Sequence, residues 1–190
     1  MEKESLINIH AVLPSSQVNG PGRRMVIFFQ GCRRQCTGCF NPDTHSLEKR
    51  KIYSAEQIFN RYLTRELEGI TVSGGEPFLQ PYGLLELLRL SRSFGLTSVV
   101  YTGYTCEELR QSNENCECLK YIDVLIDGDY LEEKKEATLL ARGSTNQKFH
   151  FMSNCYSQAD FYMPGKIEVI IGSDGTIKET GFSRIPLLTN

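Results

Sequence analysis

The segment Met25-Val26-Ile27-Phe28-Phe29-Gln30 is apolar on both faces and runs straight into Cys32-Arg33-Arg34-Gln35-Cys36-Thr37-Gly38-Cys39. A strand with two apolar faces must be covered on both sides, which is the situation of a parallel strand inside an α/β sheet. In such folds the working loops gather beyond the carboxyl ends of the strands. The three cysteines, spaced C-x3-C-x2-C, therefore stand where chemistry is done.

Thiolates are the usual protein ligands of iron–sulfur clusters, and four of them close a cuboidal site. Three on one short loop suit a 4Fe-4S cluster with one iron left open, which a reactive centre needs and a structural one does not. The same thiols would also suit a structural zinc ion with His45 as fourth ligand. Structural zinc sites usually pair two cysteine knuckles or supply two histidines. Here His10, His45 and His150 show no finger-like spacing, and Cys106, Cys116, Cys118 and Cys155 are scattered. The ligand count favours the cluster, with Cys32, Cys36 and Cys39 as metal ligands and seat of catalysis.

Strand and helix signals alternate along the rest of the chain. Leu6–Val12 alternates weakly, as an edge strand does, and Asn19-Gly20-Pro21-Gly22 turns into Met25–Gln30. Ser54-Ala55-Glu56-Gln57 has the form of a capping box, and Ala55, Ile58, Phe59, Tyr62, Leu63 and Leu67 keep helical spacing up to Gly69. Ile70–Ser73 reads as the second strand. Leu84, Leu87, Leu88, Ser91 and Phe94 write a helix that Gly95 ends. Ser98–Thr102 is the third strand, Thr105-Cys106-Glu107-Glu108 caps a helix running to Ser112, and Val124–Asp127 is the fourth strand.

The expected fold is α/β, with a mostly parallel sheet of about five to six strands and right-handed crossovers. The chain's 190 residues fall short of the about 250 of a complete eight-unit barrel, so any (β/α) barrel is partial. One domain spans 1–190, with its core at 19–150. Lys166–Ile171 and Thr176–Thr180 alternate about Gly172-Ser173-Asp174-Gly175, which signals a C-terminal β-hairpin extension over 163–183. Packing is its expected role, and docking the alternative.

The second strand ends in Ser73-Gly74-Gly75-Glu76-Pro77, a glycine turn with a carboxylate at its tip. Alone this is a tight strand-to-helix turn with an acid on it. With the cysteine loop after the first parallel strand, it resembles the radical S-adenosylmethionine (SAM) superfamily. The resemblance implies that SAM chelates the open iron and is cleaved reductively to a 5′-deoxyadenosyl radical that abstracts hydrogen. It implies that Glu76 holds the SAM ammonium in a charge-assisted contact. Gly74 and Gly75 would then bring the backbone close to the methionyl part, where a Cβ would obstruct it.

Much of the superfamily places an aromatic residue just before the third cysteine, against adenine; here Gly38 stands there and Phe40 follows the cysteine. Gly38-Cys39-Phe40-Asn41 is similar to the branch that activates anaerobic ribonucleotide reductase. So are Gly20-Pro21-Gly22, Tyr101-Thr102-Gly103-Tyr104-Thr105, Asp127-Gly128 and Arg142-Gly143-Ser144-Thr145-Asn146-Gln147, a likeness covering roughly Asn19 to Gln147. The branch implies Gly38, Phe40 and Asn41 at the cofactor and a glycyl radical made on a separate large enzyme. It also implies an electron donor such as a flavodoxin or ferredoxin.

Three further residues carry open readings. Thr102 contacts SAM or is a satisfied turn hydroxyl. Asp127, with Asp129, binds a cation or a polar group of SAM, or simply forms a turn. Arg142 meets a carboxylate of SAM or of a partner, or lies on the surface. Two rival functions remain: a radical enzyme acting directly on a small molecule or peptide, and an electron carrier without catalysis. The open iron and Glu76 speak against the carrier.

A net charge of −2, with no basic run beyond Glu48-Lys49-Arg50-Lys51, argues against nucleic acid as a partner. That cluster reads as a solvated connector. No apolar stretch approaches the roughly 18 residues of a membrane span, and no basic start leads into one. A soluble, cytoplasmic protein is expected, and the oxygen sensitivity of such a cluster suits anaerobic metabolism. Seven cysteines, an odd number, argue against a disulfide framework.

Overall fold

The computed structural model describes residues 5–163, 167–171 and 177–181. Strands β1 (Ile7–Ser16), β2 (Arg24–Phe29), β3 (Lys51–Tyr53), β4 (Gly69–Gly74), β5 (Thr97–Tyr101), β6 (Val124–Asp127) and β7 (Lys148–Phe151) form one sheet. Their order is β3-β1-β2-β4-β5-β6-β7. The four central strands β2, β4, β5 and β6 are parallel. β1, β3 and β7 are antiparallel additions on the two flanks. Helices α1 (Ala55–Tyr62), α2 (Pro81–Ser93), α3 (Cys106–Leu109) and α4 (Asn113–Leu119) lie in the connections between the parallel strands.

The two apolar faces of β2 are used as its composition demands. Met25, Ile27 and Phe29 join Ile70 and Val72 of β4, Ile58 and Phe59 of α1 and Leu84, Leu87 and Leu88 of α2 in one core. On the sheet's second face Val99, Val124 and Ile126 pack against Ala141, Phe161 and Met163. Each fully buried side chain of this size contributes about 1.5–3 kcal/mol. The parallel strands are thereby held rigidly enough to carry precise loops at their carboxyl ends.

Several expectations are corrected. The sheet has seven strands, not five or six. Leu6–Val12 is not an edge: β1 runs to Ser16 and lies between β3 and β2, with Ile7 and Ile9 wholly buried. The edge belongs to β3, inside the segment expected to be a connector, and its exposed Lys51 suits a position where charge discourages further pairing. Helix α1 stops at Tyr62 because Leu63 is already extended, at φ −66° and ψ 128°. Gly69 does not end that helix but opens β4. The helix beginning near Thr105 is a single turn, and α4 follows it, capped by the Ser112 hydroxyl.

Arg24, at the amino end of β2, is completely buried. Its guanidinium donates to Thr71 Oγ1 (2.9 Å) and to the carbonyls of Pro21 (2.9 Å), Ile70 (2.7 Å) and Thr97 (3.1 Å). It also donates to the hydroxyls of Thr97 and Tyr156, both at 3.2 Å. Gly69 leaves the space for it: a Cβ there would lie 2.6 Å from Arg24 Nη1 and 2.5 Å from the Thr97 carbonyl.

Strands β8 (Ile167–Ile171) and β9 (Ile177–Gly181) pair as a separate antiparallel hairpin, as the Asp-Gly pattern predicts. Among the described residues no helix is long and apolar enough to cross a membrane.

Candidate active site

The two motifs are fastened to each other by backbone hydrogen bonds. Gly75 N–H donates to the Phe29 carbonyl at 2.9 Å, and Glu76 N–H to the Gly31 carbonyl at 2.8 Å. The glycines permit this approach, since a Cβ on Gly75 would lie 2.2 Å from the Gly31 carbonyl oxygen. At Gly74 it would lie 2.5 Å from the Phe29 nitrogen, and φ there is +102°, a region that disfavours any side chain. The crowding that the resemblance assigns to the SAM methionyl group already exists between β4 and the end of β2. On its other side the cysteine loop is closed by Gly31 N–H to the Thr44 carbonyl (2.8 Å) and Cys32 N–H to the His45 carbonyl (3.2 Å).

Glu76 is buried, with 2% of its surface exposed. Its Oε1 accepts from Thr102 Oγ1 (2.9 Å) and Phe78 N–H (3.1 Å), and its Oε2 from Gly103 N–H (2.8 Å). Burial pushes the carboxyl above its ordinary range, while these three donors and the nearby Arg34 charge pull it partly back. Among the described residues no Lys, Arg or His lies within ion-pair distance of it. A carboxylate offers about four lone-pair sites. Three are used, so one acceptor position remains on a carboxylate that has no direct ion pair among the described residues.

Cys32, Cys36, Cys39, Glu76 and Thr102 line one cavity of about 520 Å³, within the roughly 300–1,000 Å³ of small-molecule sites. Gly74, Gly75, Phe40 and Asn41 are in its wall as well. A second depression of about 590 Å³, between α1 and α2, holds none of these residues. Burial raises the Cys36 and Cys39 thiols; the Asp129 charge raises Cys36 further, and neighbouring thiols add to both. Yet among the described residues no three His, Cys, Asp or Glu side chains converge tightly enough to chelate a single ion. Asn41 N–H points at Cys39 Sγ, 3.4 Å away, as a donor to a thiolate would.

Not every residue suggested by the sequence faces this cavity. Asp127 is buried at the end of β6, but its carboxylate accepts from Cys106 N–H at 2.6 Å and lies 2.9 Å from His150 Nε2. It anchors α3 and is absent from the cavity wall. Arg142 pairs with Glu136 and donates to the Gln147 carbonyl at 2.8 Å. Its neighbours Gly143 and Gln147 reach the cavity instead, and Gln147 Nε2 donates to the Gly128 carbonyl at 2.8 Å. Gly38 adopts φ +69°, and a Cβ there would meet the Glu132 carboxylate at 2.5 Å. Phe40 packs edge-on to Tyr130 at 5.2 Å.

Arg34 escaped the sequence reading. It pairs with Asp129, lies 3.9 Å from Glu108 and stacks over Tyr104 at 4.4 Å, so it ties the cysteine loop to the loops after β5 and β6. Gly103 makes way for it, since a Cβ there would lie 2.3 Å from Arg34 Cδ. Its place between two cysteines was the one available signal; its partners, about 70 to 95 residues away, are visible only in the fold.

Residues 18–150 match a family model described as a 4Fe-4S single cluster domain. The anaerobic ribonucleoside-triphosphate reductase-activating protein of Vibrio cholerae is 37% identical over 154 residues, covering 76% of this chain and 97% of its own length. That of Escherichia coli K12 is 32% identical over 156 residues, 77% of this chain and 99% of that one. The pyruvate formate-lyase-activating enzyme of Clostridium pasteurianum is 34% identical over 145 residues, 71% of this chain and 58% of that one. The cluster-domain match contains the cysteine loop, Glu76 and the 142–147 loop, and two relatives align over nearly their whole length. The chain belongs to the family of anaerobic ribonucleoside-triphosphate reductase-activating proteins.

Proposed function

We propose that this protein is a radical SAM activase that installs a glycyl radical on an anaerobic ribonucleotide reductase. The observation that carries the reading is the buried Glu76 carboxylate, without a direct ion pair among the described residues and opening on the same cavity as three thiols. A buried charge of this kind is costly unless something cationic meets it.

Cys32, Cys36 and Cys39 would hold three irons of a 4Fe-4S cluster, and Glu76 would take the ammonium of SAM on its remaining acceptor position. When bound, the reduced cluster would supply one electron to the sulfonium of SAM, chemistry that yields methionine and a 5′-deoxyadenosyl radical able to take a hydrogen atom from a glycine of the partner. The protein's part is positioning and exclusion of water. Thr102 Oγ1 and the amides of Phe78 and Gly103 aim the Glu76 carboxylate. The Gly31–Glu76 bond keeps that carboxylate in register with the thiols. Gly38, Phe40 and Asn41 would shape the adenine side. The sheet is read as a partial (β/α) barrel whose inner face floors the cavity. The electron arrives from a donor such as a flavodoxin or ferredoxin in the cytoplasm.

The test is anaerobic incubation of the iron-loaded protein with SAM, dithionite and the purified reductase. A glycine-centred electron paramagnetic resonance (EPR) signal on the reductase, with 5′-deoxyadenosine released in proportion, is expected. Release of 5′-deoxyadenosine with no glycine signal points to a small-molecule or peptide substrate, and no release at all to an electron carrier.

A further inference from the structure

The β8–β9 hairpin has no part in the machinery above. It lies outside the 18–150 span of the cluster-domain match. The V. cholerae and E. coli relatives, aligned over 97% and 99% of their own lengths, account for only 76% and 77% of this chain. The hairpin is nonetheless tied down. Asn19 Nδ2 donates to Thr180 Oγ1 at 3.0 Å, and Gln17 N–H donates to Glu168 Oε1 at 2.8 Å. These bonds lay it against the turn that leads into β2. They bring Ile170, Glu179, Thr180 and Gly181 into the wall of the cavity that holds the thiols and Glu76.

Along β4 the lining runs from Glu76 back through Ser73 to Thr71, whose hydroxyl donates to the Asn19 carbonyl at 2.7 Å. The three residue steps from Gly74, the end of β4, back to Thr71 cover roughly 10 Å. The cavity therefore extends from the thiols toward the amino ends of the strands, and the hairpin walls that inner part. A hydrogen atom is abstracted only at contact distance, so an activase must admit a glycine of its protein partner into the space beside SAM. The hairpin borders that space. Its apolar strand continues outward as well, with Val169 and Ile171 exposed at 47% and 72%, an apolar surface of the kind a partner covers.

We infer that the hairpin is the wall against which the partner's extended, glycine-bearing segment is seated. Ile170 supplies an apolar contact, and Glu179 supplies a polar group for its backbone. The inference rests on the activase reading and assigns the recognition element of that same site.

Ile170→Asp tests it by titration of the reductase, with glycyl radical formed per activase as the readout and iron content as the check of folding. The half-saturating reductase concentration should rise about tenfold while the plateau changes little. A benzophenone cross-linker placed at position 170 of the otherwise unaltered full chain should, on irradiation, attach to the glycine-bearing segment of the reductase, as mapped by mass spectrometry. This second measurement decides the matter where Ile170→Asp does not take up iron. Unchanged half-saturation, or cross-links that avoid that segment, overturns the hairpin assignment alone. A wild-type protein giving no glycine-centred signal overturns the activase reading and the inference with it.

Discussion

At Glu76 burial and hydrogen bonding pull in opposite directions, and the pH behaviour of the site follows from which one wins. Burial is the larger effect, so the carboxyl in the fold ionises at higher pH than in an unfolded chain. The unliganded fold is thus favoured at low pH and loses that contribution as pH rises through the raised carboxyl range. Binding of an ammonium ligand runs the other way, because only the ionised carboxylate attracts it. SAM affinity, measured anaerobically by calorimetry, should strengthen as pH rises across the weakly acid range. Glu76→Gln should bind SAM roughly 10- to 100-fold more weakly, the loss of a hydrogen bond to a charged group, and with a flatter pH profile. Equal slopes for the two proteins would remove Glu76 from ammonium binding. That Cys32, Cys36, Cys39 and Glu76 would gather at one cavity was legible in the sequence, because each follows an apolar strand run at close spacing. The Thr102 hydroxyl on Glu76 and the reach of Arg34 were not, since both join residues brought together only by the sheet.

Among the elements, the parallel strands were legible and the flanking ones were not. β2, β4, β5 and β6 are apolar runs bounded by turns or caps, whereas β3 and β7 are three and four residues long and mostly half-exposed or exposed. Helix α4 hides in Asn113–Leu119, where the apolar face is too short for periodicity to declare itself. Arg24 shows a tertiary demand overriding local pattern, a charged side chain placed where the two-faced apolar strand begins. Its guanidinium joins the amino ends of β2, β4 and β5 to Tyr156. Arg24→Met would leave the carbonyls of Pro21, Ile70 and Thr97 without this donor, each at about 1–3 kcal/mol. At about 2–4 °C per kcal/mol for a chain of this size, calorimetry should show Tm lowered by roughly 10 °C. The cysteine loop lies at the opposite ends of the strands, so iron uptake should survive. A shift under about 2 °C would mean that water or neighbouring groups satisfy those carbonyls.

For the molecule as a whole, alternation of strand and helix was enough to place four loops at one end of a parallel sheet, and the cavity is where that argument puts it. What the alternation could not show is how the sheet is finished. The antiparallel flanks and the hairpin come from segments whose burial depends on neighbours distant in the chain. The proposed activity depends on three thiols holding a cluster whose fourth iron is free to bind SAM. EPR spectroscopy of the dithionite-reduced, iron-loaded protein, recorded before and after SAM is added, tests this most directly. The prediction is about four irons per chain and a cluster spectrum whose g values shift when SAM binds, with Cys36→Ala unable to form that cluster. A spectrum unchanged by SAM, or a protein that takes up no iron, would contradict it.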